Sequence, residues 1–537
     1  MRSHESPRIS LDDVRAGVRL VRDLPRFLAH PIAAHDARAA LATRLRHREQ
    51  DFLELVRRAV YGQKGSPYRA LLGEARCEYD DLERLVRAEG VDEALARLAR
   101  LGVYLTVDEL KGRRPLVRGG TTITVAPGSL WNPLVRAHAL AQSSGSRGER
   151  GSVPVELGFV RDLGANICLT TDARGGMAWR HATWTIPGGA AMAAALSYSA
   201  FGAHWTRWFS QVDPDSVALH PRYRWSIRAL RWSGRLARVS LPEPQHVPLD
   251  DPGPVARWMA ATLAAGATPH LLTFPSSAVR VCEAAREAGI GLEGARFMVG
   301  GEPITAARLA VVERAGGQAT AGYGTAETGP CGLGDACLTR EAPDEVHVFH
   351  DLHAVVQVGA SVAVPGLPSG ALLASSLRRS APIVLLNVSL GDRAVLTRRL
   401  CGCPLERLGW TTHLHTIRSY EKLTAGGMTF LDTDVIRVLE EVLPARFGGV
   451  PTHYQLVEEE DASGRPRLRL VVDPAVGALD DRAVLDTFLA TLGRGSDTHR
   501  LMELVWRGGG FLAVERRPLH ATPSGKLLHL HVARAIR

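Results

Sequence analysis

At 537 residues the chain is too long for one ordinary hydrophobic core, so two or three domains are expected. Its 45% hydrophobic and 23% charged content is that of a globular protein, and it has no apolar run of about 18 residues, which excludes a helical membrane span. The net charge of +9 comes from arginines spread along the chain, with no block of about five or six like charges, so nucleic-acid binding is not favoured. An anionic small-molecule partner suits that balance, although an arginine-rich, GC-rich coding sequence would give the same bias. The opening MRSHESPRISLDDVR lacks an apolar signal segment, so a cytoplasmic chain is expected.

Residues 1–110 read as helical. Val91, Leu95, Leu98 and Leu101 recur at helical spacing, and Gly102 is placed to end that helix. Val103–Thr106 reads as a short strand or turn, followed by a basic loop at Lys111–Arg118. Ser143-Ser144-Gly145-Ser146-Arg147-Gly148-Glu149 is a Ser/Gly loop ending in charge. Hydroxyls and backbone N–H groups in such a loop can wrap phosphate oxygens; a plain surface loop has the same composition. Six of the ten tryptophans, Trp179, Trp184, Trp205, Trp208, Trp225 and Trp232, follow between 153 and 240. Aromatics of this kind belong to the core more often than to a pocket. Leu241–Pro254, with five prolines, is expected to be a surface loop or a connection between lobes. His270–Pro275 reads as a strand leading into a helix at Ser276–Gly289.

The most informative stretch is Met298–Asp335. A buried strand (Ala295–Val299) runs into a Gly300-Gly301-Glu302-Pro303 turn. A helix (Thr305–Ala315) follows, then a second strand ending in Tyr323-Gly324-Thr325-Ala326-Glu327. That order belongs to a parallel α/β sheet with a ligand at the strand ends. Glycines let the backbone approach a ligand, and a carboxylate beyond the second strand can hold magnesium. Just beyond, Cys331 and Cys337 precede His347 and His350, and Cys401-Gly402-Cys403 follows. In a reducing compartment this clustering points to a metal rather than a disulfide. His413 and His415 alternate as residues on an exposed strand face would. Thr522-Pro523-Ser524-Gly525-Lys526 is a tight turn that can hold a lysine out into another domain's site.

Taken in order, the Ser143–Gly148 loop, the stretch from Gly300 to Glu327 and the Pro523–Lys526 turn resemble three segments of the adenylate-forming superfamily. These are its phosphate loop, its adenine and magnesium segment, and its C-terminal catalytic lysine. The superfamily includes acyl-CoA synthetases, peptide-synthetase adenylation domains and luciferases. The GGEP turn and the cysteine pattern look most like the phenylacetate-CoA ligase branch. The resemblance runs from residue 65 to 537 and implies an α/β fold: a large N-terminal α/β domain with parallel sheets and a small α+β C-terminal domain. The expected division is a helical cap at 1–110, the large domain at 111–417 and a mobile small domain at 418–537.

The resemblance also implies roles. Ser143, Ser144, Gly145, Ser146, Arg147 and Gly148 would hold ATP phosphates, with Arg147 standing where the family has a hydroxyl. Gly300, Gly301, Glu302 and Pro303 would lie against adenine and the acyl group. Tyr323 would stack on adenine beside Gly324 and Thr325, and Glu327 would bind magnesium. Ala326 stands where the family has Thr or Ser. Asp392 would hold the ribose hydroxyls, Arg418 would contact the ribose next to a hinge, and Lys526 would be catalytic. Cys337, His347, Cys401 and Cys403 match the zinc ligands of some relatives, a closed and therefore structural site. His204 falls near a position beside the substrate carboxylate. The implied activity is ATP- and magnesium-dependent adenylation of a carboxylic acid followed by transfer to a thiol, coenzyme A by default. Transfer to a carrier protein or an amine, adenylation of an inorganic acid such as nitrite, and a non-catalytic ATP-binding relative are the alternatives.

Overall fold

The computed structural model describes residues 11–126, 128–142, 152–186, 189–214, 221–249, 251–301, 304, 306–334, 342–359, 361–419, 422–425, 428–431, 435, 437–449, 453–460, 466–494, 497–510, 512–520 and 530–532. Helices take up most of residues 11–100, and Tyr79–Arg100 is two helices that meet in a kink at Gly90, with φ +80°. Val91, Leu95 and Leu98 are buried, and Gly102, with φ +91°, stops the chain from continuing as a helix. Two small hairpins follow: β1 (Leu116–Arg118) with β2 (Thr121–Ile123), and β3 (Ala139–Gln142) with β4 (Ser152–Val155). The second hairpin flanks the Ser/Gly loop at 143–150, which lies outside the described residues.

The centre is one twelve-stranded sheet. Its strands are β5 (Arg180–Thr185), β6 (Arg207–Ser210), β7 (Pro244–His246), β8 (Pro269–Thr273), β9 (Arg296–Gly300), β10 (Gln318–Thr325), β11 (Gly329–Leu333), β12 (Val346–Val348), β13 (His353–Gln357), β14 (Ala371–Ser376), β15 (Val388–Arg398) and β16 (Thr412–Ser419). Their order is β13-β14-β15-β16-β12-β11-β10-β9-β8-β5-β6-β7. From β10 to β7 every pairing is parallel; from β10 to β13 every pairing is antiparallel. Helices such as Pro275–Glu287 and Ala306–Arg314 make the crossovers of the parallel half, as parallel pairing requires.

The proline-rich stretch is more than a loop. It supplies β7 at the parallel edge, where Pro244 opens the strand and its missing N–H costs no ladder bond. The tryptophans divide between core and surface: Trp184, Trp205 and Trp208 are buried, while Trp225 and Trp232 are exposed.

The N-terminal helices share a core with the antiparallel half. Phe52, Leu55, Leu72, Leu82, Leu95 and Leu98 pack in one cluster with Leu373, Leu385 and Val388. The Arg44 side chain is 4% exposed and donates from Nε to Asp351 Oδ2 at 2.8 Å and from Nη2 to Asn166 Oδ1 at 2.5 Å. Asn166 Nδ2 and Trp410 Nε1 both donate to the same Asp351 carboxylate, so the buried charge is fully engaged.

After β16 come a hairpin, β17 (Lys422–Ala425) with β18 (Met428–Leu431), and a four-stranded sheet. That sheet has β19 (Tyr454–Glu460), β20 (Pro466–Val472), β21 (Leu512–Arg516) and β22 (Leu530–Val532) in the order β21-β20-β19-β22. Helices Asp481–Gly493 and Asp497–Gly509 accompany it. Among the described residues no helix is long and apolar enough to cross a membrane.

Candidate active site

The parallel strands β9 and β10 end together, and their ends are stripped to backbone. Gly300 pairs in register with Gly322, and a Cβ on Gly300 would lie 2.5 Å from the Gly322 carbonyl oxygen. Gly324 is as tight, 2.4 Å from the Gly329 oxygen, and Gly301 has φ +81°. Such a surface lets a flat ligand approach main chain directly. Glu302 and Pro303 lie outside the described residues.

Tyr323 stands on β10 at this edge. Its hydroxyl donates to Asp392 Oδ2 at 3.1 Å, across 69 residues of sequence. Burial, then the Asp392 charge, push the phenol well above its usual range, so it stays a donor. A cavity of 10 Å³ between Tyr323, Thr328, Cys331 and Asp392 has room for one water at most, so the ring and the carboxylate close on each other in this state. The turn from β10 to β11 carries Glu327, half-exposed, between Thr325 and Thr328. Thr325 Oγ1 accepts from Thr328 N at 3.3 Å, which fixes the turn.

Arg418 is elsewhere. Its Nη1 donates to Asp344 Oδ2 at 2.8 Å. Asp392 pairs with Ser419 and Arg393 with Arg418, so successive side chains at this register leave opposite faces of the sheet. Lys526 and Ser143 to Gly148 lie outside the described residues. His204 is half-buried, with Nδ1 3.2 Å from Ser199 Oγ, and burial lowers its pKa.

A second cluster lies within the antiparallel half, where β12 pairs with β16. His347 on β12 donates through Nδ1 to the Trp410 carbonyl at 2.7 Å, which fixes its tautomer and leaves Nε2 as an acceptor. That Nε2 lies 3.2 Å from Cys403 Sγ and 3.7 Å from Cys401 Sγ. A tetrahedral zinc with bonds of about 2.3 Å to sulfur and about 2.0 Å to nitrogen sets donor separations near 3.5 Å. Gly402, at φ +76°, turns the Cys-Gly-Cys segment, and Glu406 accepts from the Cys401 and Gly402 N–H groups at 2.5 and 2.6 Å.

His413 is a correction to the sequence reading. It is fully buried, not on an exposed strand face, and is the register partner of His347 with ring centroids 4.2 Å apart. The ligand atoms of His347, Cys401 and His413 lie within 4.8 Å of one another. His413 Nδ1 meets Glu345 Oε1 at 2.7 Å, and Nε2 has no hydrogen-bond partner among the described residues. A carboxylate behind one ring nitrogen and an orphaned other nitrogen is how metal-binding histidines are held. Cys337 lies outside the described residues. Cys331 belongs to the core beside Tyr323, where burial pushes its thiol up to about 12, and His350 is not part of the cluster. The described cysteines form no disulfide.

Sequence reasoning missed Gly322, His413, Asp344 and Glu345. Only Gly322 carried a signal, as the glycine before Tyr323-Gly324.

This architecture, a large sheet domain with bare parallel strand ends followed by a small mixed-sheet domain, is the two-domain fold of the adenylate-forming enzymes. More particularly, the chain aligns over 94% of its length, and over 91% of the other chain, with 2-hydroxyisobutyryl-CoA ligase in complex with 2-HIB-AMP and CoA, at 15% identity and a TM-score of 0.51. It also matches an amide bond synthetase, McbA from Marinactinospora thermotolerans, at 15% identity over 94% of this chain and 97% of that one, with a TM-score of 0.42. No protein-family model matches the sequence. No curated protein matches it either.

Proposed function

We propose that the chain is an AMP-forming ligase of the adenylate-forming superfamily, nearest in kind to the phenylacetate-CoA ligase branch. The observation that carries the reading is the meeting of Tyr323 and Asp392 at the glycine-stripped end of β9 and β10. Two residues that the resemblance assigns to one nucleotide are side by side in space. The first step is attack of a substrate carboxylate oxygen on the α-phosphorus of ATP, forming an acyl–phosphate bond and releasing pyrophosphate. Tyr323 gives the adenine a face and Asp392 accepts from both ribose hydroxyls. Glu327 would hold magnesium, which supplies charge neutralisation at the phosphates. Lys526 would be brought in by the C-terminal domain to meet the charge that develops on the transferred group. In the second step a thiol attacks the acyl carbon and AMP leaves. Coenzyme A is the acceptor by resemblance.

The donor set His347, Cys401 and Cys403 fits a structural zinc, with Cys337 from the resemblance and His413 from the geometry as candidates for the fourth ligand. Zinc would pin the connection between Glu327 and β12 to the Cys-Gly-Cys turn. The phenylacetate-CoA ligase placement rests on that donor set and on the GGEP turn.

The reading is tested by pyrophosphate release from ATP and magnesium against a panel of aryl, fatty and amino acids and nitrite, with Lys526→Ala in parallel. Acid-dependent release that falls at least about a hundredfold in the variant, the scale of one lost electrostatic contact to a transition state, is expected. ATP binding with no release for any acid would overturn it.

A further inference from the structure

We infer that Asp344 is a latch: it holds Arg418, and the strand end that leads to the second domain, away from the nucleotide site. The inference rests on the adenylating reading. Along β15 and β16, Val395 pairs with His415 and Arg393 with Arg418. One residue of β15, Ala394, therefore faces two of β16, Thr416 and Ile417, which is a β-bulge. Thr416 has φ +54°, a left-handed conformation unfavourable for a β-branched residue. A bulge leaves N–H groups without ladder partners, and here both go to one carboxylate. Thr416 N donates to Asp344 Oδ1 and Ile417 N to Asp344 Oδ2, each at 2.8 Å. Arg418 Nη1 completes the set on Oδ2 at 2.8 Å.

Asp344 is 5% exposed, and those three donors are what repay its desolvation. The neighbouring Glu345 is anchored separately, on His413 Nδ1 and on Arg399. The Asp344-Glu345 pair thus ties the metal-ligand cluster to the bulge. With the bulge in place, Arg418 leaves the sheet on the face opposite Asp392. To meet a ribose on Asp392 it must give up Asp344 and the bulge must open; the one carboxylate holds both, so it competes with the nucleotide for the same guanidinium. Asp344 is a positioning residue in this account, not a catalytic one.

The test is ATP affinity by calorimetry, which needs no turnover. Asp344→Asn removes the charge that retains Arg418 and should tighten ATP binding about fivefold, the scale of one half-exposed charge-assisted hydrogen bond. The change should vanish in an Arg418→Ala background, which a merely structural effect of Asp344 would not do. Thr416→Gly keeps the fold, removes the steric cost of the bulge and should weaken ATP binding. Equal affinity in wild type and Asp344→Asn, or a shift that persists without Arg418, would overturn the latch and leave the adenylating reading standing. If the wild type binds no ATP, both fall.

Discussion

At the scale of single residues, the cluster of His347, Cys401, Cys403 and His413 makes the sharpest demand. The two imidazoles and the Cys403 thiol are buried and the Cys401 thiol is half-buried, and a cation would hold them as a group. The purified chain is expected to contain about one zinc, the number that a single closed site takes. Cys401→Ser and Cys403→Ser should lose it. The fourth ligand is read from cobalt-substituted protein, where the intensity of the thiolate-to-metal charge-transfer band counts sulfurs. If His413 closes the site, His413→Ala disturbs the spectrum and Cys337→Ser leaves it unchanged; the reverse pattern assigns Cys337. Zinc-free wild-type protein would remove the centre altogether. Three of these four residues are named by the resemblance, and the clustering of cysteine and histidine points the same way. His413 is not legible. Its alternation with His415 predicts a strand correctly, but which face is buried depends on pairing with β12, some 65 residues away. Asp344 is hidden for a similar reason, since a bulge with threonine in place of glycine leaves no mark in the sequence.

At the scale of elements, the glycine-rich strand ends explain why the sheet can serve as a ligand floor. Gly300 has no special backbone angle; its constraint is the carbonyl of Gly322 2.5 Å from where a Cβ would stand. Gly300→Ala must separate β9 from β10 there, at a cost of about 1–3 kcal/mol by analogy with overpacked cores. The expected fall in thermal midpoint is a few degrees. Gly359, with nothing within 4 Å of its Cβ position, is the control and should change little as alanine. An unchanged midpoint for Gly300→Ala would show that the strands give way easily. The strand, turn, helix, strand order from 295 to 327 is readable in advance because hydrophobic runs and glycines alternate there. β7 is not, since five prolines advertise a loop, and a proline fits a strand only at its first residue, on an edge or at a bulge.

At the scale of the whole molecule, buried neutral histidines tie stability to pH. His181 and His270 meet through Nδ1 atoms 2.9 Å apart, both inside the sheet, and His353 is buried on β13. Burial lowers His181 and His353 to about 4, and burial then His181 lower His270 well below 6.5. Unfolded, each would bind a proton near its ordinary value. Their contribution is complete above about pH 6.5 and is lost as pH falls toward 4, by up to about 3 kcal/mol for each of His181 and His353. Chemical denaturation midpoints should therefore fall steadily between pH 6.5 and 4.5, and His181→Gln should flatten part of that slope. A midpoint that does not move over this range would contradict the burial of these rings. The two-domain α/β class is legible from motif order. The continuity of the twelve strands is not, because pairings such as β12 with β16 join segments far apart in the chain.

The shared core of the N-terminal helices has a consequence for synthesis. Arg44 and its partner Asp351 are 307 residues apart. At about 5–20 residues per second, a ribosome needs roughly 15–60 s to deliver the second after the first. Throughout that interval Phe52, Leu55, Leu72 and Leu95 lack Leu373, Leu385 and Val388, their partners in the finished core. The nascent chain therefore presents an apolar helical face for far longer than a local hairpin would. Such transiently exposed apolar surface is prone to aggregate, so shielding during translation matters to this chain alongside the stability of the finished protein.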